Sequence, residues 1–170
     1  MVMDKVYLLL GSNVGSRLEN LQQAINLLQK SSIKVLEISS VYETAPWGKP
    51  DQDWYYNAVI AIDSGYAPYK LLEICLEVER KLGRIRHQKW GERIIDIDLI
   101  YFKNVIIDSE SLTLPHPQIS NRKFTLMPLI ELGENRIHPI YKKDQKTLME
   151  ACDDPLTCLL TSFKLTNDLN

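Results

Sequence analysis

The feature that most constrains the fold is an apolar run at residues 94–101 that only Asp96 and Asp98 interrupt. Because side chains alternate across a β-strand, the run predicts a strand whose two carboxylates share one face. The opposite face then carries the apolar side chains of Ile95, Ile97, Leu99 and Tyr101. Such a strand requires a sheet with one face in a core and the other face at a site or in water.

The two carboxylates are spaced for a divalent cation. Their Cα atoms lie about 6.6 Å apart along a strand, which lets both groups bind one or two hard cations such as Mg²⁺. A bound cation also removes the repulsion between two like charges on one face. The spacing alone fits a solvated strand face equally well. The basic residues Lys89 and Arg93 precede the strand, and they favour a site that binds phosphate beside the metal.

Length and charge limit the classes of protein that this chain represents. Its 170 residues predict a single domain over residues 1–170, with a core at about 5–152. Residues 153–170 form a C-terminal extension whose structure the pattern leaves open. The net charge of -2 argues against a general binder of nucleic acid or membrane surfaces. The N-terminal residues match neither a signal peptide nor a spanning helix, so we expect a cytoplasmic protein.

Hydrophobic periodicity predicts an alternating order of strands and helices. The predicted elements are a strand at Val6–Leu10, a helix from a capping box at Ser16 and Glu19 to Lys30, strands at Ile33–Tyr42 and Tyr55–Ile62, a helix from Pro68 to just before Gly83, and a strand at Ile94–Tyr101. This β-α-β-β-α-β order is typical of an α+β, ferredoxin-like fold, an antiparallel sheet with both helices packed on one face. We expect the other face to be free. The C-terminal additions include helices at Lys123–Leu132 and Gln145–Cys152.

A basic loop at residues 83–93 leads into the aspartate strand. Its cations are Arg84, Arg86, Lys89 and Arg93. Arginine forks match pairs of phosphate oxygens, so the loop favours a lid that closes on a phosphate ligand. A solvated basic loop is the alternative, and the adjoining aspartate pair favours the lid.

A few further side chains are candidates for ligand contact. Tyr55 and Asn57 share one face of their predicted strand, where the amide is able to bind the mixed edge of a flat heterocycle and the ring to stack on it. An asparagine bonded to neighbouring backbone is the structural alternative. Trp47 and Phe124 are candidates for an aromatic wall or for the core. His116 lies between two prolines and either donates to a phosphate or stays on the surface.

Taken together, these residues resemble the 6-hydroxymethyl-7,8-dihydropterin pyrophosphokinase family. The signature of that family is a basic residue, any residue, glycine, a small or acidic residue, arginine, any two residues, aspartate, an aliphatic residue, aspartate and two aliphatic residues. Residues 89–100 match it at every position. Supporting segments follow in the family's order: Gly11-Ser12-Asn13, Thr44-Ala45-Pro46, Tyr55-Tyr56-Asn57-Ala58, Gly83-Arg84-Ile85-Arg86, Pro115-His116 and Asn121-Arg122-Lys123-Phe124.

The resemblance implies a folate-pathway reaction. The β,γ-pyrophosphoryl group of ATP passes to the hydroxymethyl oxygen of 6-hydroxymethyl-7,8-dihydropterin, and AMP is released. Two Mg²⁺ ions, bound with ATP, are implied as cofactors at Asp96 and Asp98. The implied partners are these two small molecules, with no nucleic acid and no membrane, and we expect a monomer.

The resemblance also implies a role for each matching residue. The catalytic group is Arg84, Arg86, Arg93, Asp96 and Asp98. The pterin site is Thr44, Trp47, Tyr55, Asn57 and Phe124, with the ring between Tyr55 and Phe124. The site for ATP and its phosphates is Glu79, Lys89, Trp90, His116 and Arg122.

The chain departs from the family pattern at four positions. Ala45 stands where proline is frequent, and Trp47 replaces a smaller apolar residue, which changes the pterin wall. Pro117 takes a position that is often aromatic beside the adenine. Lys89 replaces an arginine of some relatives and lacks its bidentate fork.

Two other functions fit parts of the pattern. A non-catalytic ferredoxin-like module would bind a nucleotide or RNA on its open sheet face, but two central carboxylates repel RNA phosphates. A Mg²⁺-dependent phosphohydrolase would use the same metal ligands with water as the nucleophile. The reaction products distinguish the transferase from the hydrolase.

Overall fold

The computed structural model describes residues 5–85, 91–133 and 135–168. Its elements are β1 (Val6–Ser12), α1 (Arg17–Lys30), β2 (Lys34–Ile38), β3 (Tyr42–Thr44), β4 (Tyr55–Asp63), α2 (Pro68–Lys81), β5 (Asp96–Phe102), β6 (Ile107–Asp108), β7 (Thr113–Leu114), a 3-10 helix (Ile119–Asn121), α3 (Lys123–Gly133), α4 (Gln145–Glu150) and β8 (Cys158–Leu160). The expected mixture of helices with an antiparallel sheet is confirmed. Across these ranges, every helix is too short or too polar to cross a bilayer.

The main sheet has β1 near its centre. The strand order is β5-β1-β4-β3-β8, β2 also pairs with β4, and all of these pairings are antiparallel. β6 and β7 form a separate hairpin. The central position of β1 places its residues opposite β4 on one side and β5 on the other.

The second predicted strand is divided into β2 and β3, because the chain between them bonds outside a regular ladder. Ser39 Oγ accepts a hydrogen bond from Val59 N at 2.9 Å. Ser40 N donates to the carboxylate of Glu131 on α3 at 2.7 Å. The Tyr42 hydroxyl donates to the same carboxylate at 2.7 Å. These bonds redirect the chain between the two strands and attach it to α3.

The helix α1 begins where the sequence predicts, but its predicted capping box is wrong. Ser16 is the N-cap residue, and its side chain makes no capping hydrogen bond. Its ψ of 77° lies outside the extended conformation that directs an N-cap oxygen towards the first turn. Packing of the apolar face stabilises the helix instead, since Leu21, Ala24, Ile25 and Leu28 are fully buried.

The two faces of the sheet are both covered by helices. Alternate residues of the central strands, among them Leu8, Leu10 and Ile60, pack with α1 and α2 in one core. The residues between them, among them Leu9 and Val59, pack with α3 and α4 in a second core. The helices α1 and α2 do pack on one face, as predicted. The expectation that the other face is free is wrong, because α3 and α4 pack on it and the same strands are apolar on both faces.

A β-bulge changes the alternation in β5. Tyr7 pairs with Tyr101 while the next residue, Leu8, pairs with Leu99, so Ile100 is an extra residue. Ile100 and Tyr101 consequently both pack in the second core, whereas Leu99 packs in the first. The predicted common face of Leu99 and Tyr101 is wrong for this reason. The bulge lies beyond the aspartates and does not separate them.

The sequence pattern does not predict a structure for residues 153–170, and part of this segment adds a strand to the sheet. β8 pairs with β3, with Leu160 opposite Tyr42 and Cys158 opposite Thr44. Beyond β8, Leu165 packs in the first core. The end of the chain is therefore attached to the same layers as its beginning.

Candidate active site

A cavity of about 250 Å³ opens at the end of the sheet where the second core stops. Its floor is formed by β1, β4 and β5, and its sides by the loop after β3 and the start of α3. The lining residues are Leu9, Gly11, Thr44, Ala45, Trp47, Tyr55, Asn57, Arg93, Asp96, Asp98, His116, Arg122 and Phe124. The cavity is thus polar on its floor and partly aromatic on its sides.

Asp96 is bound by two arginines from the segment that precedes β5. Arg84 Nη1 donates to Oδ1 at 2.7 Å, and Arg93 Nη1 donates to Oδ2 at 2.9 Å. Each carboxylate oxygen therefore has its own guanidinium partner. Asp96 thus forms two charge-assisted hydrogen bonds in a half-buried position.

Glu79 on α2 holds Arg84 in this arrangement. Its side chain is only 3% exposed, and Oε2 lies 2.6 Å from Arg84 Nη1. Its other oxygen accepts a hydrogen bond from Ile97 N at 2.8 Å. Burial lowers the pKa of Arg84, but the carboxylates of Asp96 and Glu79 raise it above its usual value. Glu79 therefore joins α2, Arg84 and the aspartate strand.

Asp98 has the more costly environment of the two aspartates. Removal from water, followed by repulsion from Asp96, raises the pKa of Asp98 to about 7, against the attraction of Arg122. Opposite Asp98 in the sheet is Leu9, an apolar neighbour. Asp98 therefore binds a proton far more readily than an exposed aspartate does.

Gly11 lets the polar groups of three strands approach one another. It lies in β1 opposite Asp96 on one side and Asn57 on the other. A Cβ atom at this position would lie 2.6 Å from Asn57 Oδ1. Asn57 Nδ2 donates to Thr44 Oγ1 at 2.7 Å. A side chain at position 11 would therefore displace the amide that lies beside the aspartates.

Three aromatic rings form the sides of the cavity. Arg122 lies between two of them, with its guanidinium carbon 5.6 Å from the ring centroids of both Trp47 and Phe124. These distances are within the range of cation–π attraction. Tyr55 lines the same cavity from β4. A planar ligand in this space would meet aromatic surface from different elements.

His116 presents a neutral imidazole to the aspartates. Burial, with a smaller contribution from Arg122, lowers the pKa of His116 to about 4. Its Nδ1 accepts a hydrogen bond from Gln118 N at 3.1 Å, which assigns the proton of the neutral ring to Nε2. Its backbone N donates to the carbonyl of Ile100 in the bulge at 2.9 Å. The position of the His116 ring is therefore fixed, and its Nε2–H group is available as a hydrogen-bond donor.

Asn13 is a site-forming residue whose contacts the sequence pattern does not reveal. Its side chain accepts from Arg93 N at 2.7 Å and donates to the Asp53 carbonyl at 3.1 Å. Its backbone N donates to the Arg93 carbonyl at 3.0 Å. Asn13 thus holds Arg93 at the end of β1. The sequence pattern also does not reveal that Gly11 allows the close approach of Asn57, although two-residue alternation along β1 does place Gly11 on the same face as Leu9.

A second cavity of about 510 Å³ lies on the other side of the aspartates. It shares Arg93, Asp96, Asp98 and His116 with the first cavity and adds residues of α2 and of the chain before β7. The added residues are Leu72, Leu76, Glu79, Arg84, Ile97, Leu99, Glu110, Ser111, Leu112, Thr113 and Pro117. The aspartate pair therefore lies where two binding spaces meet.

The structure brings most of the predicted site residues to these two cavities. Thr44, Trp47, Tyr55, Asn57, Arg93, Asp96, Asp98, His116, Arg122 and Phe124 line the first. Glu79 and Arg84 line the second. The predicted residues Arg86, Lys89 and Trp90 lie outside the described residues.

The donor set is suited to a metal that is shared with an anionic ligand. Within the described ranges, no cluster of three or more histidine, cysteine or acidic side chains forms a complete protein cage. Two carboxylates on one face match Mg²⁺, which commonly binds one or two carboxylates and takes its other ligands from phosphates and water. Asp96 and Asp98 therefore fit Mg²⁺ that binds together with a phosphate ligand.

Comparison with known sequences assigns the chain to a family. Residues 7–134 match the sequence model of the family described as 7,8-dihydro-6-hydroxymethylpterin-pyrophosphokinase (HPPK). A relative from Methylorubrum extorquens, named 2-amino-4-hydroxy-6-hydroxymethyldihydropteridine pyrophosphokinase, is 42% identical over 79% of this chain and 86% of its own length. A relative of the same name from Aquifex aeolicus is 39% identical over 93% of this chain and 99% of its own length.

Comparison with solved structures gives the same fold. A crystal structure of Plasmodium falciparum HPPK-DHPS wild type with pteroate has a TM-score of 0.71 and 15% identity, over 86% of this chain and 44% of that chain. A structure of the A437G form with STZ-DHP has a TM-score of 0.69 and 14% identity, over 89% of this chain and 47% of that chain. This chain spans less than half the length of both, and the likeness concerns the fold alone.

The cost of ionising Asp98 predicts a pH-dependent effect on stability. Because the folded pKa is raised to about 7, the native state binds more protons than the unfolded state, and wild-type stability falls as pH rises towards and through 7. Asp98→Asn removes this cost. We expect it to raise the Tm of the ligand-free chain by about 3 °C or more at pH 8, on the order of 1 kcal/mol, and by less at pH 5.

Thermal unfolding followed by circular dichroism at both pH values measures the difference. Asp108→Asn, in the exposed part of β6, is the matched control and should leave the Tm nearly unchanged at both. An equal effect of Asp98→Asn at pH 5 and pH 8 would contradict the assignment of the raised pKa to Asp98.

Proposed function

This chain belongs to the 7,8-dihydro-6-hydroxymethylpterin-pyrophosphokinase family, and from that premise we propose that its two cavities hold the two substrates on either side of Asp96 and Asp98. Its reaction transfers the pyrophosphoryl group of ATP to the hydroxymethyl group of 6-hydroxymethyl-7,8-dihydropterin in folate biosynthesis. The products are the pterin diphosphate and AMP. The cavity with Asn57 receives the pterin, and the cavity with Arg84 receives ATP.

One observation carries this assignment of the substrates. Gly11 places the Asn57 amide and the Asp96 carboxylate on one sheet face, with a single β1 residue between them. Because β4 and β5 lie on either side of β1, the amide that binds the pterin edge is two strand spacings, about 9.6 Å, from the aspartate of the phosphate site. The acceptor hydroxyl and the transferred phosphorus are thereby brought together.

The reaction requires positioning and charge neutralisation more than covalent catalysis. The hydroxymethyl oxygen attacks the β-phosphorus of ATP as the bond from that phosphorus to the oxygen bridging it to the α-phosphorus breaks. AMP leaves with that bridging oxygen, and the hydroxyl proton is released. Transfers of this kind proceed in line and develop charge on the oxygens. Cationic side chains around the two cavities suit that demand.

We assign Mg²⁺, as two ions bound with ATP, to Asp96 and Asp98. When bound, Mg²⁺ neutralises triphosphate charge and polarises the transferred group. The chain's own residues prepare the site, since Arg84 and Arg93 form ion pairs with the Asp96 carboxylate. With Mg²⁺ held at Asp96, Arg84 and Arg93 would be available to the phosphates, which guanidinium groups are suited to bind in pairs.

The remaining side chains position the nucleotide. Glu79 keeps its bond to Ile97 N and retains Arg84 beside the site, so it acts as a positioning residue. His116 donates through Nε2 to a phosphate oxygen, and Arg122 supplies positive charge from the pterin side. Arg86, Lys89 and Trp90 are assigned to lid contacts on the family resemblance alone.

The pterin lies against the aromatic sides of the first cavity. Tyr55 and Phe124 supply stacking surfaces, and Trp47 adds a further ring where relatives have a smaller residue. Asn57 and Thr44, already joined by a hydrogen bond, bind the polar edge of the ring. The pterin displaces Arg122 from between Trp47 and Phe124 towards the phosphates.

The family assignment also supports a more specific fold. We propose a ferredoxin-like unit with an interrupted second strand, which consists of β1, α1, the divided strand β2–β3, β4, α2 and β5. A cytoplasmic monomer that binds neither nucleic acid nor membrane is the form that we propose. The family assignment does not favour the RNA-binding alternative.

The products of the reaction test the function directly. With Mg²⁺, ATP and 6-hydroxymethyl-7,8-dihydropterin, the protein should form AMP and pterin diphosphate in equal amounts, as measured by anion-exchange chromatography. Asp96→Ala should reduce turnover by at least about 10³-fold, because metal and arginine contacts are both lost. Inorganic phosphate without pterin diphosphate would indicate the phosphohydrolase instead.

The close approach at Gly11 predicts a second effect. Gly11→Ala places a Cβ 2.6 Å from Asn57 Oδ1, so the amide must move and pterin binding should weaken. We expect the KM for the pterin to rise about 10-fold or more, in line with the loss of one good hydrogen bond, with a smaller change in the KM for ATP.

The matched control is Gly65→Ala, where a Cβ would meet no atom within 4 Å. That variant should keep both KM values within about 2-fold of wild type, since it alters open surface. If Gly11→Ala also leaves the pterin KM unchanged, the placement of the pterin beside Asn57 is wrong.

A further inference from the structure

The C-terminal segment, residues 154–168, contacts both sides of the cavity assigned to the pterin. It follows the residues matched by the family model, which end at 134. We propose that this segment is a positioning element that sets the separation of the two sides and thereby determines pterin affinity. The inference rests on the proposed function, because it takes the first cavity as the pterin site.

The segment holds the first side through β8. Ala45 N donates to the Thr157 carbonyl at 3.0 Å, and Thr161 N donates to the Val41 carbonyl at 3.0 Å. These bonds lie at the two ends of the β3–β8 pairing. β3 has only three residues and ends at Thr44, which bonds Asn57. β8 therefore supplies the outer ladder of the strand from which the loop with Trp47 departs.

The segment holds the second side through Asp154. This side chain is 5% exposed, and its Oδ2 accepts a hydrogen bond from Lys123 N, the first residue of α3, at 3.0 Å. Its Oδ1 accepts from Leu156 N at 3.0 Å. The carboxylate thus caps the end of α3 that carries Phe124 and follows Arg122. Both residues line the cavity.

Only three residue steps separate the two contacts. The chain from Asp154 to Thr157 spans at most about 10 Å even when fully extended. The start of α3 and the end of β3 are therefore joined by a short covalent strap. A ligand inserted between Phe124 and the β3 side meets walls whose spacing this strap limits.

The rest of the segment is fixed to the fold. The Phe163 ring lies 5.5 Å from the Tyr56 ring, and Leu165 packs in the first core. Thr166 exchanges two hydrogen bonds with the side chain of Gln22 on α1, at 2.8 and 2.9 Å. The C-terminal segment is thus also fixed at its far end, and its attachment to the fold does not depend on β8 alone.

Among the described residues, the second cavity is lined by α2, β5, the chain between these two elements and residues 110–117, and by none of the C-terminal segment. Loosening the strap should therefore affect the pterin more than ATP. A purely structural role would lower stability and change both affinities together. The two roles therefore predict different ratios of the change in the pterin Kd to the change in the Kd of the ATP analogue.

Paired proline variants in β8 separate these roles. The hydrogen bonds at Thr157 and Thr161 show that every second residue of β8 directs its N–H group towards β3. Leu159, which lies opposite Glu43, is one of these residues. The N–H of Leu160 points away from β3. Both side chains are exposed, at 52% and 64%. Leu159→Pro breaks the ladder, whereas Leu160→Pro, on the open side of an edge strand, is tolerated.

The measurement is calorimetric binding of 6-hydroxymethyl-7,8-dihydropterin to protein that is saturated with Mg²⁺ and α,β-methylene ATP. We expect Leu159→Pro to raise the pterin Kd about 5-fold or more and to leave the Kd for the ATP analogue within about 2-fold. Leu160→Pro should match wild type in both. Equal pterin Kd values for the two folded proline variants would overturn the inference.

Asp154 provides a second comparison that keeps the test decisive if Leu159→Pro does not fold. Asp154→Ala removes the cap on α3 and should raise the pterin Kd selectively, while Asp154→Asn, which retains an acceptor, should restore it. A parallel rise in the Kd values of the pterin and of the ATP analogue would overturn the positioning role.

Asn57→Ala distinguishes failure of the inference from failure of the proposed function. It should abolish pterin binding if the first cavity is the pterin site. Wild-type binding by Asn57→Ala would overturn the site assignment and the inference with it. Loss of binding in Asn57→Ala together with unchanged binding in Leu159→Pro and Asp154→Ala would overturn the inference alone.

Discussion

The arrangement of the site depends on two carboxylates that stand two residues apart on one face of a buried sheet. Asp96 is stabilised by Arg84 and Arg93, and the neighbouring elements fix those arginines, since Glu79 binds the first and Asn13 holds the backbone of the second. Asp98 lies in a more costly environment, because removal from water and repulsion from Asp96 raise its pKa to about 7. In the proposed complex, a divalent cation bound with the triphosphate would neutralise the pair and would leave the two guanidinium groups to bind the phosphates. The fold thus already brings together the charged groups that the proposed complex requires.

The central strand joins this charge cluster to the acceptor site. Because β1 has β5 on one side and β4 on the other, a single residue, Gly11, separates Asp96 from Asn57. In the proposed arrangement, the two substrates meet at this residue, which has no side chain to separate them. The C-terminal strap acts on the outer limits of the same space, through β3 and the start of α3. The inner boundary and the outer walls of the pterin cavity are thus set by different parts of the chain, which is why their effects on the two substrates should be separable.

Local pattern predicted the parts of this structure that depend on short-range geometry. Alternation placed Asp96 and Asp98 on one face, and helical spacing located α1 and α2. The same alternation failed at Tyr101, because a bulge at Ile100 is set by pairing with β1 rather than by the β5 sequence. The covering of the second face by α3 also depends on tertiary packing. Asn13, which bonds Arg93 across 80 residues, and Asp154, which caps α3 across 31, act on backbone atoms and leave no local signature.

The central claim is that Asp96 exchanges its arginine partners for metal when the substrates bind. A crystal structure of the protein with Mg²⁺, α,β-methylene ATP and 6-hydroxymethyl-7,8-dihydropterin tests it most directly. We expect metal bound to oxygens of both Asp96 and Asp98, with Arg84 and Arg93 on phosphate oxygens and the pterin beside Asn57. Asp96 still paired with both arginines, with metal bound elsewhere on the triphosphate, would contradict it.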